Sequence, residues 1–243
     1  MHPENSFRAA QAYLVASARS RQDLDDESGR PRPFLTISRQ AGAGGHALAE
    51  CLVEQFNARQ PDRPWALFDE NLVQAVLEEH DLPANLARYL SEKKVAELTD
   101  FVEVGLGLHP HTGILVGKMN ATIIALAKIG HVVLVGRGAH VLTRPFAAGV
   151  HVRLIASEQQ RCACLARIHG LDDGAARGRL KELDAGRRAY VKQHFGEDLD
   201  DPMAYDMVLN TTDQPVEALA KMLRQRLDEA VTGERRLVQV RQR

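Results

Sequence analysis

Apolar positions along the chain fall into two patterns. Short apolar runs at Phe34–Ser38, Trp65–Phe68, Val132–Val135, His151–Ile155 and Asp206–Asn210 have the length and β-branched content of strands. Between them, apolar residues recur every three to four positions over 45–58, 70–80, 84–104, 115–129, 158–169, 173–193 and 215–230. That is the spacing of helices with one buried face. Strands alternating with helices predict a parallel sheet covered on both faces, a three-layer α/β fold of five strands. The helical stretch from about 70 to 130 is too long for one crossover and is expected to form a flap. A further helical stripe (Phe7, Ala10, Tyr13, Leu14, Ala18) precedes an acidic, Pro/Gly-containing linker over 23–33. The chain thus divides into an N-terminal helix and linker (1–32), one main domain (33–232) and a basic tail (233–243) expected to be solvated.

Composition narrows the chemistry. The 243 residues carry 31 Lys+Arg against 32 Asp+Glu, a net charge of -1, which excludes a broadly basic nucleic-acid binder. Aromatics at 5% are too few for a single-strand stacking platform. No apolar run approaches the roughly 20 residues of a membrane span, and Met1–Ser6 opens no signal peptide, so a cytoplasmic protein is expected. Cys51, Cys162 and Cys164 have neither disulfide-framework nor zinc spacing, in keeping with a reducing compartment. His109 and His111 lack a third ligand, and the acids at 25–27 and at Asp198, Asp200 and Asp201 read as solvated loops. No metal site is assigned.

The most informative stretch is Phe34-Leu-Thr-Ile-Ser-Arg39-Gln-Ala-Gly42-Ala43-Gly44-Gly45-His46. A strand runs through a glycine turn into a helix N-terminus, which aims backbone N–H groups and the positive helix end at one point. Two readings stay open: a phosphate site, or a tight turn that needs glycine only for its dihedrals. A full P-loop, Gly-x4-Gly-Lys-[Ser/Thr], would put its lysine on Gly45 and its first glycine on Arg39. A relaxed dinucleotide-binding reading, Gly42-x-Gly44-x-x-Ala47 with Asp69 as the ribose acid, also stays open.

Other charged stations follow. Arg137, after the third strand in Gly136-Arg137-Gly138-Ala139, points toward the crevice at the carboxyl edge and implies an anionic ligand or a carboxylate partner. Ser157 can cap the helix that carries Arg161. The helix 173–193 bears Arg177, Arg179, Lys181, Arg187, Arg188 and Lys192. Asp184 and Arg187, three apart, share a face there, and a solvated salt bridge is the ordinary outcome.

In order, these stations (Gly42-Ala-Gly44, Phe-Asp69, Gly136-Arg137-Gly138, Ala156-Ser157-x3-Arg161, Asp184-x2-Arg187-x2-Tyr190 and Tyr205-Asp-x-Val-x-Asn-Thr211) resemble the cytidylate kinase-like family, within the P-loop nucleoside monophosphate kinases. The resemblance covers about 34–230. It implies a P-loop kinase core with a monophosphate-binding helical insertion (about 70–130) and a lid (about 161–195). It implies ATP and Mg²⁺ as cofactors, small-molecule nucleotides as partners, and phosphoryl transfer to a nucleoside monophosphate such as CMP. Gly42, Ala43, Gly44 and Gly45 would then cradle the donor phosphates, and Arg161 would lie near the lid that covers them. Arg137 and Arg187 would face the acceptor phosphate, with Asp184 beside the nucleoside and Asp69 at the start of the monophosphate site; His46 and Arg188 count among the phosphate-binding residues. The departures are as informative. The lysine position is Gly45, the threonine position Ala47, and the aspartate of Gly-Arg-Asp is Gly138. Arg39 or His46 could take the lysine's place, and Arg39, always charged and fork-shaped, suits phosphate better. Two alternatives stay beside the enzyme: a nucleotide-binding regulatory protein without catalysis, and a kinase of another small phosphate acceptor.

Overall fold

Strand β1 (Phe34–Arg39) alternates Leu35 and Ile37 on one face with Phe34, Thr36 and Ser38 on the other, and this alternation organises both layers around it. The computed structural model describes residues 32–62, 64–69, 112–136 and 138–232. The expectations for the N-terminal helix and linker, for most of the flap including His109 and His111, for Arg137 and for the basic tail lie outside these residues.

After β1 come α1 (Gly45–Arg59), β2 (Ala66–Asp69), α2 (Thr112–Ile129), β3 (Val132–Val135) and the short α3 (Ala139–Thr143). Then follow β4 (Gly149–Ile155), α4 (Glu158–His169), α5 (Asp173–Phe195), a 3₁₀ turn (Pro202–Ala204), β5 (Met207–Asn210) and α6 (Val216–Thr232). The five expected strands are present with shifts of one or two residues at their ends. The sheet is wholly parallel, in the order β2-β3-β1-β4-β5. β1 is central: the chain leaves it toward β2 and later crosses from β3 to β4 on its other side. The carboxyl end of β1 is therefore the topological switch point, where open α/β sheets form their ligand crevice. This order removes the dinucleotide-binding reading. That reading needs β2 next to β1 so that Asp69 reaches a ribose at the glycine turn, and here β3 lies between them.

Leu35, Ile37, Val133, Val152 and Leu154 pack on one side against Leu48 and Leu52 of α1 and Leu223 and Leu227 of α6. On the other side Phe34, Phe68, Val132 and Leu134 meet Leu126 and Ile129 of α2. A third, smaller core joins Ala41 to Cys162 and Leu165 of α4 and Ala176 and Leu180 of α5. It exists because α4 and α5 form a hairpin whose apolar edge has only the turn after β1 to bury against. Ser157 caps α4 by accepting from Gln160 N at 3.3 Å, as its sequence position predicts, and Asp172 caps α5 through Ala175 N at 2.8 Å. Among the described residues no helix is long and apolar enough to cross a membrane.

The floor of the domain, opposite the crevice, is closed by an aromatic stack. Trp65 lies on Phe56 at 4.2 Å and 13° and under His131 at 5.4 Å and 29°. Asn57 grips the Trp65 peptide at both ends, accepting from its N–H at 2.6 Å and donating to its carbonyl at 3.1 Å. Trp65 is the single tryptophan of the chain and is buried, so its fluorescence reports unfolding. Phe56→Ala should remove about 3–5 kcal/mol of stability by leaving a cavity under that ring. Urea titration followed at Trp65 checks it, and an unchanged midpoint would show the stack to be dispensable.

Candidate functional site

Four peptides after β1 are fixed from below before any ligand is considered. Ala43 N donates to Gln40 O at 3.2 Å, closing the turn. The Ala41 peptide is gripped on both sides: its N–H donates to Asp184 Oδ1 at 2.7 Å, and its carbonyl accepts from Arg161 Nη1 at 3.4 Å. Arg161 Nη1 also donates to Asp184 Oδ2 at 2.5 Å, and Arg161 Nε donates to Ala156 O at 3.1 Å. Beyond the turn, Thr211 Oγ1 donates to Ala43 O at 3.1 Å. Gln40 Oε1 accepts from Ala156 N at 3.1 Å. The turn is thus bolted to α4, α5 and the end of β5.

Gly42 is required for two reasons at once. Its φ is +74°, and a Cβ there would lie 2.5 Å from the Arg161 carbonyl oxygen. The turn backbone therefore sits directly on the backbone of α4. Gly44, also at positive φ, is the N-cap of α1 and supplies no side-chain cap. The first N–H groups of α1 have no partner within the helix, and no acid sits in the first turn. An anion at this point would meet several aligned donors and the positive helix end. Beside the turn opens a cavity of about 360 Å³, lined by Gly42, Gly44, Gln160, Cys164, Thr211 and Leu219 among others. Gln160 is itself fixed, donating to Thr211 O at 3.2 Å and accepting from Asp213 N at 2.9 Å.

The expected charged residues divide into those that face the turn and those that hold it. Arg161, expected near the donor phosphates, is buried with its guanidinium on Asp184 and two carbonyls. Asp184, expected beside the nucleoside, is equally buried, and both of its oxygens are engaged. Neither is the solvated pair that the i,i+3 spacing with Arg187 predicts. Arg187 Nη1 stands 3.9 Å from Asp184 Oδ1 and donates to the Arg39 carbonyl at 3.3 Å. So the inner face of the segment expected as a lid is tied to the phosphate turn. Ala43 and Gly45 are buried within the turn, whereas His46 is exposed on the first turn of α1. Its Nδ1 lies 4.0 Å from Asp69 Oδ2 at the end of β2, and its Nε2 lies 3.5 Å from Glu50. Arg188 is exposed and lies 3.7 Å from Asp200.

Asp200, read from the sequence as a solvated loop acid, is exposed in that loop and is also the counter-ion of the buried Arg153 on β4, whose Nη2 donates to Asp200 Oδ1 at 2.5 Å. Asp198 accepts from Asp200 N and Asp201 from Met203 N, so this loop is folded around its acids. Among the described residues no group of three His, Cys, Asp or Glu is placed to hold a metal ion.

Below the crevice, the Thr36 and Ser38 face of the sheet is polar, a layer that the sequence pattern did not disclose. Thr36 Oγ1 pairs with His151 Nδ1 at 2.9 Å, and Ser38 Oγ with His140 Nδ1 at 3.2 Å. Tyr205 stacks on His140 at 4.6 Å and donates to Leu199 O at 2.8 Å. Burial first, then His151, Arg144 and Arg153, push the His140 pKa down to about 3. His151 is also lowered, by burial above all, against an opposing pull from Asp206. Both rings are neutral in the folded protein at neutral pH. One signal was available in advance: His140 directly follows the Gly-Arg-Gly-Ala string after β3, on the first turn of a helix at the crevice.

Gly138 explains a departure from the cytidylate kinase pattern. Its φ is +79°, and a Cβ would fall 2.1 Å from the ring of Phe195 at the end of α5. No side chain fits there, so the carboxylate of Gly-Arg-Asp has its place taken by an aromatic ring. Tyr190 and His194 pack beside that ring on the same helix.

Compared with known proteins, the chain matches the model of the cytidylate kinase-like family over residues 34–213. No curated protein gives a match. Among solved structures it is similar to an uncharacterized protein from Eubacterium ventriosum, at 18% identity and a TM-score of 0.59, covering 81% of this chain and 99% of that one. That likeness is one of fold. A shikimate kinase from Bacteroides thetaiotaomicron aligns at 13% identity and a TM-score of 0.43, over 81% of this chain and 98% of that one.

The neutral histidines give the protein a definite acid response. Between about pH 6.5 and pH 3 the unfolded chain binds a proton at His140 that the folded chain refuses. Its contribution is constant above pH 6.5, and below it stability falls by up to about 1.4 kcal/mol per pH unit. His151 adds in the same direction. His140→Gln should flatten the profile by about 1 kcal/mol between pH 6.5 and 5.5, read by urea titration at each pH. Equal slopes for the two proteins would show that His140 does not carry the effect.

Proposed function

The chain belongs to the cytidylate kinase-like family, and we propose that it transfers the terminal phosphoryl group of ATP to a small phosphate-bearing acceptor, with CMP the first candidate. The observation that carries this reading is the bolted glycine turn, whose uncapped helix end opens beside the cavity of about 360 Å³ at the switch point. Phosphoryl transfer asks little covalent chemistry of the protein. It asks for fixed donors and charge around the transferred group. A turn with its peptides held by Asp184, Arg161 and Thr211 supplies such donors with little reorganisation.

The donor set suits ATP better than it suits a protein-held metal. The cavity accepts a base and ribose beside the turn, and the N-terminus of α1 accepts the phosphates. The hydroxyl position of the P-loop motif, next after Gly45, is His46, so Mg²⁺ would arrive with the nucleotide and keep most of its water shell. When bound it would neutralise charge on the transferred group. Asp69, 4.0 Å from His46 at the first turn of α1, and Arg137, by its place in the family pattern alone, are the candidates for the acceptor.

Gly138 and Phe195 favour a second reading of the acceptor. With no carboxylate at position 138, one contact made by cytidylate kinases is lost, which supports a small phosphate acceptor other than CMP as the alternative.

An ADP-release assay with Mg²⁺-ATP and a panel of nucleoside monophosphates and other small phosphates separates these readings. We expect at least one acceptor to raise ADP release above background. ATP binding with no active acceptor would establish instead a nucleotide-binding regulatory protein. With the active acceptor in hand, Arg137→Ala should weaken its binding by roughly 1–3 kcal/mol in calorimetry, the scale of a lost charged hydrogen bond. Unchanged affinity would remove Arg137 from the site.

A further inference from the structure

Gly45 poses a problem that its own backbone does not answer. It is the first residue of α1 with an ordinary negative φ, since the glycines at positive φ are 42, 44, 130, 138, 170 and 196. Glycine is a poor helix former, about 1 kcal/mol worse than alanine in a helix interior. The reason for it is spatial. A Cβ at position 45 would stand 3.0 Å from Arg39 Cγ, 3.3 Å from Arg39 Cβ and 3.4 Å from Arg39 Cδ. The aliphatic stem of Arg39 lies close against Gly45, so that a side chain at 45 would have to push it aside by a few tenths of an ångström.

We infer that the cation and the glycine of the phosphate loop have exchanged places in this chain, and that Arg39 does the work of the missing lysine. Position 39, where a P-loop has its first glycine, needs no glycine here: it ends β1 in extended backbone, at φ below zero. Position 45, where a P-loop has its lysine, is kept bare so that a side chain from the strand end can lie against it. The Arg39 stem passes beside the first residue of α1, within one side-chain length of that helix's N-terminus. The strand end is itself held, because the Arg39 carbonyl accepts from Arg187 Nη1 at 3.3 Å.

The other cations near the turn have different tasks. Arg161 is buried on Asp184, Arg187 bridges Asp184 and the Arg39 carbonyl, and His46 leans toward Glu50 and Asp69. Arg39 brings a permanent charge and a planar fork that meets two phosphate oxygens together. In the transfer, the bond from the γ-phosphorus to the β,γ-bridging oxygen breaks and its electron pair leaves on ADP. A bond forms from an acceptor phosphate oxygen, already anionic, to that phosphorus. Arg39 neither gains nor loses a proton, and its charge offsets the negative charge that builds on the bridging oxygen.

The inference rests on the kinase reading, and four variants test it: Arg39→Met, Arg39→Lys, Gly45→Lys and the R39G/G45K double variant, each checked for folding by thermal melting. With the active acceptor, Arg39→Met should lower kcat by about 10²–10³-fold, and Arg39→Lys should restore part of it. Gly45→Lys alone should also lose activity, because its stem displaces that of Arg39. The double variant should recover at least about tenfold over Gly45→Lys, a non-additive result expected only if the two positions share one space and one task. A kcat for Arg39→Met within about threefold of the starting protein, or strictly additive losses, would overturn the inference. If no acceptor is turned over, the kinase reading fails separately, and calorimetry decides the role of Arg39. A loss of about tenfold or more in ATP affinity for Arg39→Met, with AMP affinity unchanged, supports it, and equal losses for both, or none, overturn it.

Discussion

The buried pair of Arg161 and Asp184 is the interaction on which the crevice depends. Two charges removed from water cost more than their attraction returns unless every remaining donor and acceptor is engaged. Here the demand is met by the peptide of Ala41, which gives its N–H to Asp184 and its carbonyl to Arg161. The ion pair can stay buried because the turn completes it, and the turn keeps its shape because the ion pair grips it. Gly42 permits the close approach by presenting no side chain to the Arg161 backbone. The small core of Ala41, Cys162, Leu165, Ala176 and Leu180 closes around the same point. The geometry of the glycine turn is thus set by two helices that follow it by more than a hundred residues.

The inner face of the α4–α5 hairpin is anchored to the turn by the Asp184 contacts with Arg161 and Ala41. The outer face of α5 is tied only by exposed pairs such as Arg177 with Asp173 and Glu158, each worth little. The polar layer beneath, from Thr36 and Ser38 to His140, His151 and Tyr205, adds rigidity of another kind. Its hydrogen bonds tie β1 to α3 through His140 and to β4 through His151.

The alternation of short strands and helices, the five strands, the Ser157 cap and the glycine turn were all legible in the sequence, because each depends on residues near one another in the chain. Two further elements, α3 and the 3₁₀ turn, are too short to impose a period and escaped notice. The dinucleotide pattern failed for an equally local reason: glycine spacing reports a turn but not which strand lies beside it. Asp184 and Arg187 looked like a surface pair because spacing on one helix says which residues share a face, not what that face is buried against.

By itself, then, the sequence determined the fold class, the position of the phosphate turn and the set of charged residues available to it. Hydrophobic period, caps and glycine turns act over a few residues, and they are written where they act. The tertiary structure alone decided the roles of those charges. It turned Arg161 and Asp184 inward, made Asp200 the partner of Arg153, laid Arg39 against Gly45 and filled the Gly138 corner with Phe195. Each of these is a contact between segments far apart in the chain, whose distance is set only when the sheet order brings their strands and helices to one edge.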